Sequence, residues 1–134
     1  MSKGKARVLI CDDERHIRML LSAIIKDLGG EVVGEASNGE EAIAQYETLR
    51  PHLVLLDINM PKLNGDKALE RIMQIDPKAL VIMLTAQDSA DVVRKTLDLG
   101  AFNYILKGNP APVIQQLIKE AWKDYLSEIQ GREA

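Results

Sequence analysis

Three apolar runs in this sequence each end on residues that can do chemistry. Leu53-Val54-Leu55-Leu56 runs into Asp57, ahead of the turn Asn59-Met60-Pro61; Val8-Leu9-Ile10-Cys11 stops at Asp12-Asp13-Glu14; Val81-Ile82-Met83-Leu84 stops at Thr85. A carboxylate at the end of a buried strand is costly unless a cation or a reaction uses it. Two such charges about 4 Å apart repel by roughly 4 kcal/mol at an effective dielectric of 20, and a bound cation removes that penalty. The candidate ligands Asp12, Asp13 and Asp57 offer only oxygen, without His or Cys, which points to Mg²⁺, or Mn²⁺, keeping several waters. A carboxylate is also a nucleophile toward a phosphoryl group, giving an aspartyl-phosphate. Asp57 is the natural acceptor because it lies between the cation ligands and a hydroxyl. Thr85 and, further on, Lys107 could then bind phosphoryl oxygens, the lysine as a point charge. Asp12 or Asp13 alone could merely cap a helix, and a lone Thr or Lys is usually only surface. Their weight comes from standing together at strand ends.

The elements that must position these residues alternate from end to end, with no linker, repeat or low-complexity stretch. A first strand, about Arg7 to Cys11, leads to a helix with Ile17, Leu21, Ile24 and Leu28 at helical spacing, stopped by Gly29-Gly30. Glu31 to Ala36 is a second strand whose polar positions suit an edge. Ser37 with Glu40 reads as a capping box opening a helix to Leu49. Pro51 precedes the third strand, His52 to Leu56, followed by the loop Asp57 to Gly65 and a helix using Leu69, Ile72 and Met73. Leu80 to Leu84 is the fourth strand. Asp88 or Ser89 caps a fourth helix over Val93 and Leu97 to Gly100. Phe102 to Leu106 is the fifth strand, and Pro110 and Pro112 suit the first turn of a last helix reaching about Ile129.

This pattern predicts an α/β fold: a doubly wound five-stranded parallel sheet, order 2-1-3-4-5, in a flavodoxin-like three-layer arrangement. Strands one, three and four are continuous apolar runs, as strands covered on both faces should be. In such sheets the carboxyl ends of the strands line up on one edge, and ligands bind there.

At 134 residues the chain reads as a single domain, with its core at about 6–130 and enough length to bury a proper interior. The net charge of −3 argues against nucleic acid as the main partner. No apolar run approaches the roughly 20 residues of a membrane span, and the start lacks a secretory signal, so a cytoplasmic location is expected. The single cysteine, Cys11, excludes an internal disulfide and reads as core packing. His16 and His52 form no metal cluster. On the last helix Ile114, Leu117, Ile118, Ala121 and Tyr125 form the core stripe. Trp122, Leu126 and Ile129 flank it, either widening that stripe or offering a partner or dimer contact.

Asp12-Asp13, Asp57 with Met60-Pro61 and Gly65, Thr85-Ala86, Gly100-Ala101, Tyr104 and Lys107 together resemble the response-regulator receiver domain of two-component signalling, over essentially the whole chain. The resemblance implies phosphotransfer from the phosphohistidine of a histidine kinase, or from a histidine phosphotransfer protein, to Asp57. It also implies Mg²⁺ held by Asp12 or Asp13, Asp57 and the Asn59 backbone. Thr85 and Tyr104 would move on phosphorylation and reshape the fourth helix, fifth strand and fifth helix for a downstream protein or a second copy. The chain would then be no enzyme beyond Mg-dependent self-phosphorylation and self-dephosphorylation. Asn59 and Gln87 flank the phosphoryl site at places that tune its lifetime in this family.

One departure concerns the residue after the lysine, usually proline and often cis; here it is Gly108. A trans bond is expected, since cis before a non-proline residue costs about 3–4 kcal/mol. The freer loop is expected to be mobile, with Lys107 drawn in when Asp57 is modified. Other readings are a receiver-like adaptor independent of phosphorylation and a Mg-dependent phosphohydrolase with an aspartate nucleophile. Such a hydrolase needs a second acid where Asn59 stands. A flavin module would need Gly, Ser or Thr amides where Asp12-Asp13-Glu14 repel phosphate.

Overall fold

A computed structural model of the chain describes residues 5–86 and 90–133, with side chains to residue 128. The elements are β1 (Arg7–Cys11), α1 (Arg15–Asp27), β2 (Glu31–Ala36), α2 (Gly39–Leu49), β3 (Leu53–Asp57), α3 (Gly65–Ile75), β4 (Leu80–Thr85), α4 (Ala90–Asp98), β5 (Asn103–Leu106) and α5 (Ala111–Glu133). All neighbouring strands run parallel in the order β2-β1-β3-β4-β5, as the alternating pattern predicts.

Successive side chains of a strand point to opposite faces, and the two faces carry two separate cores. Leu9, Cys11, Val54, Leu56, Val81 and Met83 pack with Tyr46 of α2 and Leu69 and Ile72 of α3. Val8, Ile10, Leu55, Ile82 and Ile105 pack with Leu21, Ile24 and Ile25 of α1 and Ile114 and Ile118 of α5. Every residue of β3 and β4 is buried, and each Leu or Ile so placed contributes roughly 1.5–3 kcal/mol of burial. β1 and β3 are adjacent, yet their following helices leave to opposite faces. That divergence opens the crevice at the carboxyl edge where a ligand fits.

Several boundaries differ from the sequence reading. β3 begins at Leu53 and ends on Asp57, whose Cα pairs with Leu84, so the acid is the last residue of the strand rather than the first of the loop. β4 extends to Thr85, opposite Leu106, and β5 begins at Asn103. The first helix stops as expected: Gly29, at φ 87°, gives its N–H to Lys26, and Gly30 gives its own to Ile25.

The cap of α2 sits one residue later than expected. Asn38, not Ser37, is the N-cap and accepts the Glu41 N–H, while the Glu41 carboxylate reaches back to the Ser37 N–H and hydroxyl. Ala36 still belongs to β2, so the extended backbone that an N-cap needs falls on Asn38 (φ −154°). The expected caps Asp88 and Ser89, and Gln87, lie outside the described residues.

Cys11 is fully buried, and burial holds its thiol protonated well above the ordinary range. Trp122 joins the core beside α1 and α5, stacked on Tyr125 at 6.1 Å and meeting His52 edge-on at 6.3 Å. It therefore widens the core stripe. Leu126 is exposed, and the side chain of Ile129 lies outside the described residues.

Candidate functional site

The carboxyl ends of β1, β3, β4 and β5 deliver the expected residues to one edge. Asp12 follows β1 directly and is fully buried; its backbone N–H donates to Ala36 of β2, which fixes the turn into α1. Asp13 is exposed beside it. Asp57 is 2% exposed. One oxygen from each of these three carboxylates lies within 4.8 Å of the others. Thr85 is buried at the end of β4, and its carbonyl accepts the Lys107 N–H at 2.8 Å, which ties the lysine's backbone to the edge.

Lys107 crosses to the acids. Its Nζ lies 3.0 Å from Asp12 Oδ2, 3.1 Å from Glu14 Oε1 and 3.2 Å from Asp57 Oδ2, with only 11% of the side chain exposed. Burial alone would lower its pKa, but these carboxylates outweigh burial and raise it. Among the described residues no peptide bond is cis, so Lys107–Gly108 is trans as expected. The idea that Lys107 arrives only after Asp57 is modified is corrected by these distances. The lysine is already seated on the unmodified acid, held by the strand-to-strand bond from its own N–H. Gly108 has open space where a Cβ would stand, so local packing does not require glycine there.

Asp57 is held up to about 6 by burial and by the neighbouring charge of Asp12, with Lys107 and the Asn59 N–H pulling the other way. Its Oδ1 accepts that N–H at 3.3 Å. Behind it, Gly65 gives its N–H to Ile58 and lies against the Asp57 carbonyl so closely that any Cβ would overlap it. Glycine at the start of α3 is what lets the loop after β3 fold back and present the acid. Lys62 within that loop takes a left-handed backbone (φ 67°).

The donor set fits a hard divalent cation. Three carboxylates converge, and Asp12 Oδ1 is used by the Glu14 N–H. Asp12 Oδ2, fully buried, has an ion-pair contact to Lys107 but no hydrogen bond. A buried carboxylate oxygen left in that condition is suited to a cation.

Two neighbours escaped the sequence reading. Glu14 shares Lys107 with the two aspartates. Arg18, one turn later on α1, donates to the Asp12 carbonyl at 2.7 Å and pairs with Glu35 of β2 at 3.0 Å, bracing the acid loop. The i, i+4 spacing of Glu14 and Arg18 was the available signal, but it reads first as an ordinary helix pair. Tyr104 is half-buried against the core on the α2–α3 face.

A profile of the response regulator receiver domain matches residues 8–119. The chain belongs to that family. The receiver domain is 43% identical over 114 residues to the chemotaxis protein CheY of Thermotoga maritima, covering 84% of this chain and 95% of that one. Among solved structures it resembles a CheY-like receiver domain protein from Methanospirillum hungatei (TM-score 0.85, 29% identity, 93% and 99% coverage). It also resembles the Borrelia burgdorferi CheX–CheY–BeF3–Mg²⁺ complex (TM-score 0.83, 32% identity, 87% and 88% coverage). This is thus a response regulator receiver of a two-component system with an acidic pocket at its carboxyl edge. Among the described residues no helix is long and apolar enough to cross a membrane.

Proposed function

We propose that Asp57 accepts a phosphoryl group from the phosphohistidine of a histidine kinase or histidine phosphotransfer protein. The observation that carries this reading is the juxtaposition at Asp57: a buried carboxylate with two more acids within 4.8 Å and an ammonium at 3.2 Å. A carboxylate oxygen of Asp57 attacks phosphorus, the phosphorus–nitrogen bond breaks, and the imidazole leaves with its electron pair. Lys107 supplies positive charge to the transferring oxygens, and the Thr85 hydroxyl, from the next strand end, would donate to them. Asp12, Asp13, Asp57 and the Asn59 backbone are the groups that would hold Mg²⁺. When bound, Mg²⁺ neutralises charge between the acids and the phosphoryl oxygens.

The chain then acts as a carrier and switch, catalysing only its own loading and unloading. A phosphoryl dianion beside Thr85 biases the neighbouring α4, β5 and α5, with Tyr104 on β5 as the responding side chain. The output is contact with a downstream protein or a second copy, in the cytoplasm. The related CheY in complex with CheX supports a protein partner. Acetyl phosphate with Mg²⁺ should add one phosphoryl group to the intact mass. Asp57→Asn, or chelation of Mg²⁺, should prevent it; equal loading of Asp57→Asn would refute the assignment.

A further inference from the structure

We infer that Glu14 is a positioning residue that holds Lys107 back from the phosphoryl group and so slows loading. The inference rests on the reading of Asp57 as acceptor and deepens it. Lys107 is the one cation within 4 Å of the two buried aspartate carboxylates among the described residues, and three carboxylates divide it at 3.0, 3.1 and 3.2 Å. Asp12 and Asp57 are strand-end residues with little freedom. Glu14 differs from both: it is the N-cap of α1, about half of its side chain is exposed, and its pKa is lowered by the hydrogen bond and charge of Lys107. It needs no burial to exist there and is not among the three carboxylates that converge on the cation position.

An arriving phosphoryl group is anionic, and its oxygens must take the ammonium that Asp57 and Asp12 already hold. Glu14 opposes that transfer in two ways. It offers Lys107 a competing partner on the solvent side, and its own charge repels the donor. The first effect acts through Lys107; the second does not.

The Lys107 ammonium resonance of ¹⁵N-labelled, metal-free protein gives the direct test. Glu14→Gln should shift it and speed its proton exchange, and an unchanged resonance would overturn the proposal. Loading by acetyl phosphate with Mg²⁺, timed by intact mass, should quicken by up to about fivefold in Glu14→Gln, the upper range of a partly exposed ion pair. In a Lys107→Ala background the same substitution should have little effect. An equal gain there would show that Glu14 acts by simple repulsion and not by holding the lysine. Should Lys107→Ala load too slowly to time, the ammonium resonance decides alone. Failure of wild type to load at all, or loading of Asp57→Asn, would instead count against the acceptor assignment.

Discussion

The two edges of the sheet are built on opposite principles. At the amino edge, polar groups of Arg7 and Tyr125 meet apt partners. The Arg7 N–H donates to His52 Nδ1 at 2.9 Å, its guanidinium to the Leu49 and Arg50 carbonyls, and the Tyr125 hydroxyl to the Lys78 carbonyl at 3.1 Å. Trp122 and Tyr125 stack over this edge from α5. At the carboxyl edge, Asp12, Asp57 and Glu14 crowd around one lysine with Asp13 beside the two aspartates, and a buried carboxylate oxygen lacks a hydrogen bond. One edge lowers the energy of the fold, while the other holds unfavourable charge that a cation and a phosphoryl group relieve. The strands are shared, so the cores on both faces carry the deficit of the reactive edge.

Removing the amino-edge stack is the harshest way to probe that division. Trp122→Ala should destabilise by about 3 kcal/mol, read by denaturant midpoint, because a large half-buried ring leaves a gap beside His52 and Tyr125. Loading of Asp57 should be unchanged at a temperature where the variant is folded. A loss of loading would mean that the two edges are coupled and not merely joined.

The opposite edge should respond with the opposite sign. The Asp57 pKa is raised from its ordinary 3.8 to about 6. A raised carboxylate binds its proton more tightly when folded, so its favourable contribution is complete below about pH 4 and is lost as pH climbs through about 6. In chelator, wild type should therefore lose stability across that window. Asp57→Asn, permanently neutral, should be flatter there and about 2 kcal/mol more stable at pH 7.5. A destabilised Asp57→Asn would show that its pairing with Lys107 outweighs the crowding. Saturating Mg²⁺ should sharpen the contrast: at tenfold above its Kd it should stabilise wild type by about 1.4 kcal/mol and Asp57→Asn far less.

Much of this was legible from residue order alone. The parallel sheet followed from five strand-like segments alternating with helical spacing, its order from one of the two common doubly wound arrangements, and the acids were readable because they close apolar runs. What sequence could not supply was which partner a side chain takes. Lys107 was expected to wait for modification because its loop carries glycine. Its seat depends on a backbone bond to Thr85 and on carboxylates 95, 93 and 50 positions away, as subtraction of the residue numbers shows. Trp122 had the spacing of a stripe's margin, and only the packing of His52 and Tyr125 against it decides that it belongs to the core. Ser37 and Asn38 are both good caps, and one residue of extra β2 chooses between them.

That last choice gives the smallest and cleanest measurement, because it concerns a stabilising device placed at the reactive edge. Asn38 is 6% exposed and caps α2 two residues after Ala36, whose carbonyl holds the Asp12 N–H. Asn38→Ala should cost about 1 kcal/mol of stability through the lost bond to the Glu41 N–H. Glu41→Gln keeps a weaker bond to Ser37 and should cost less, whereas Glu40→Gln, with an exposed side chain at the position first expected to close the box, should cost almost nothing. If Glu40→Gln proved the more damaging of the two, the cap would lie one residue earlier in solution. β2 would then end before Ala36, and the turn that presents Asp12 would be held by something other than the Ala36 carbonyl.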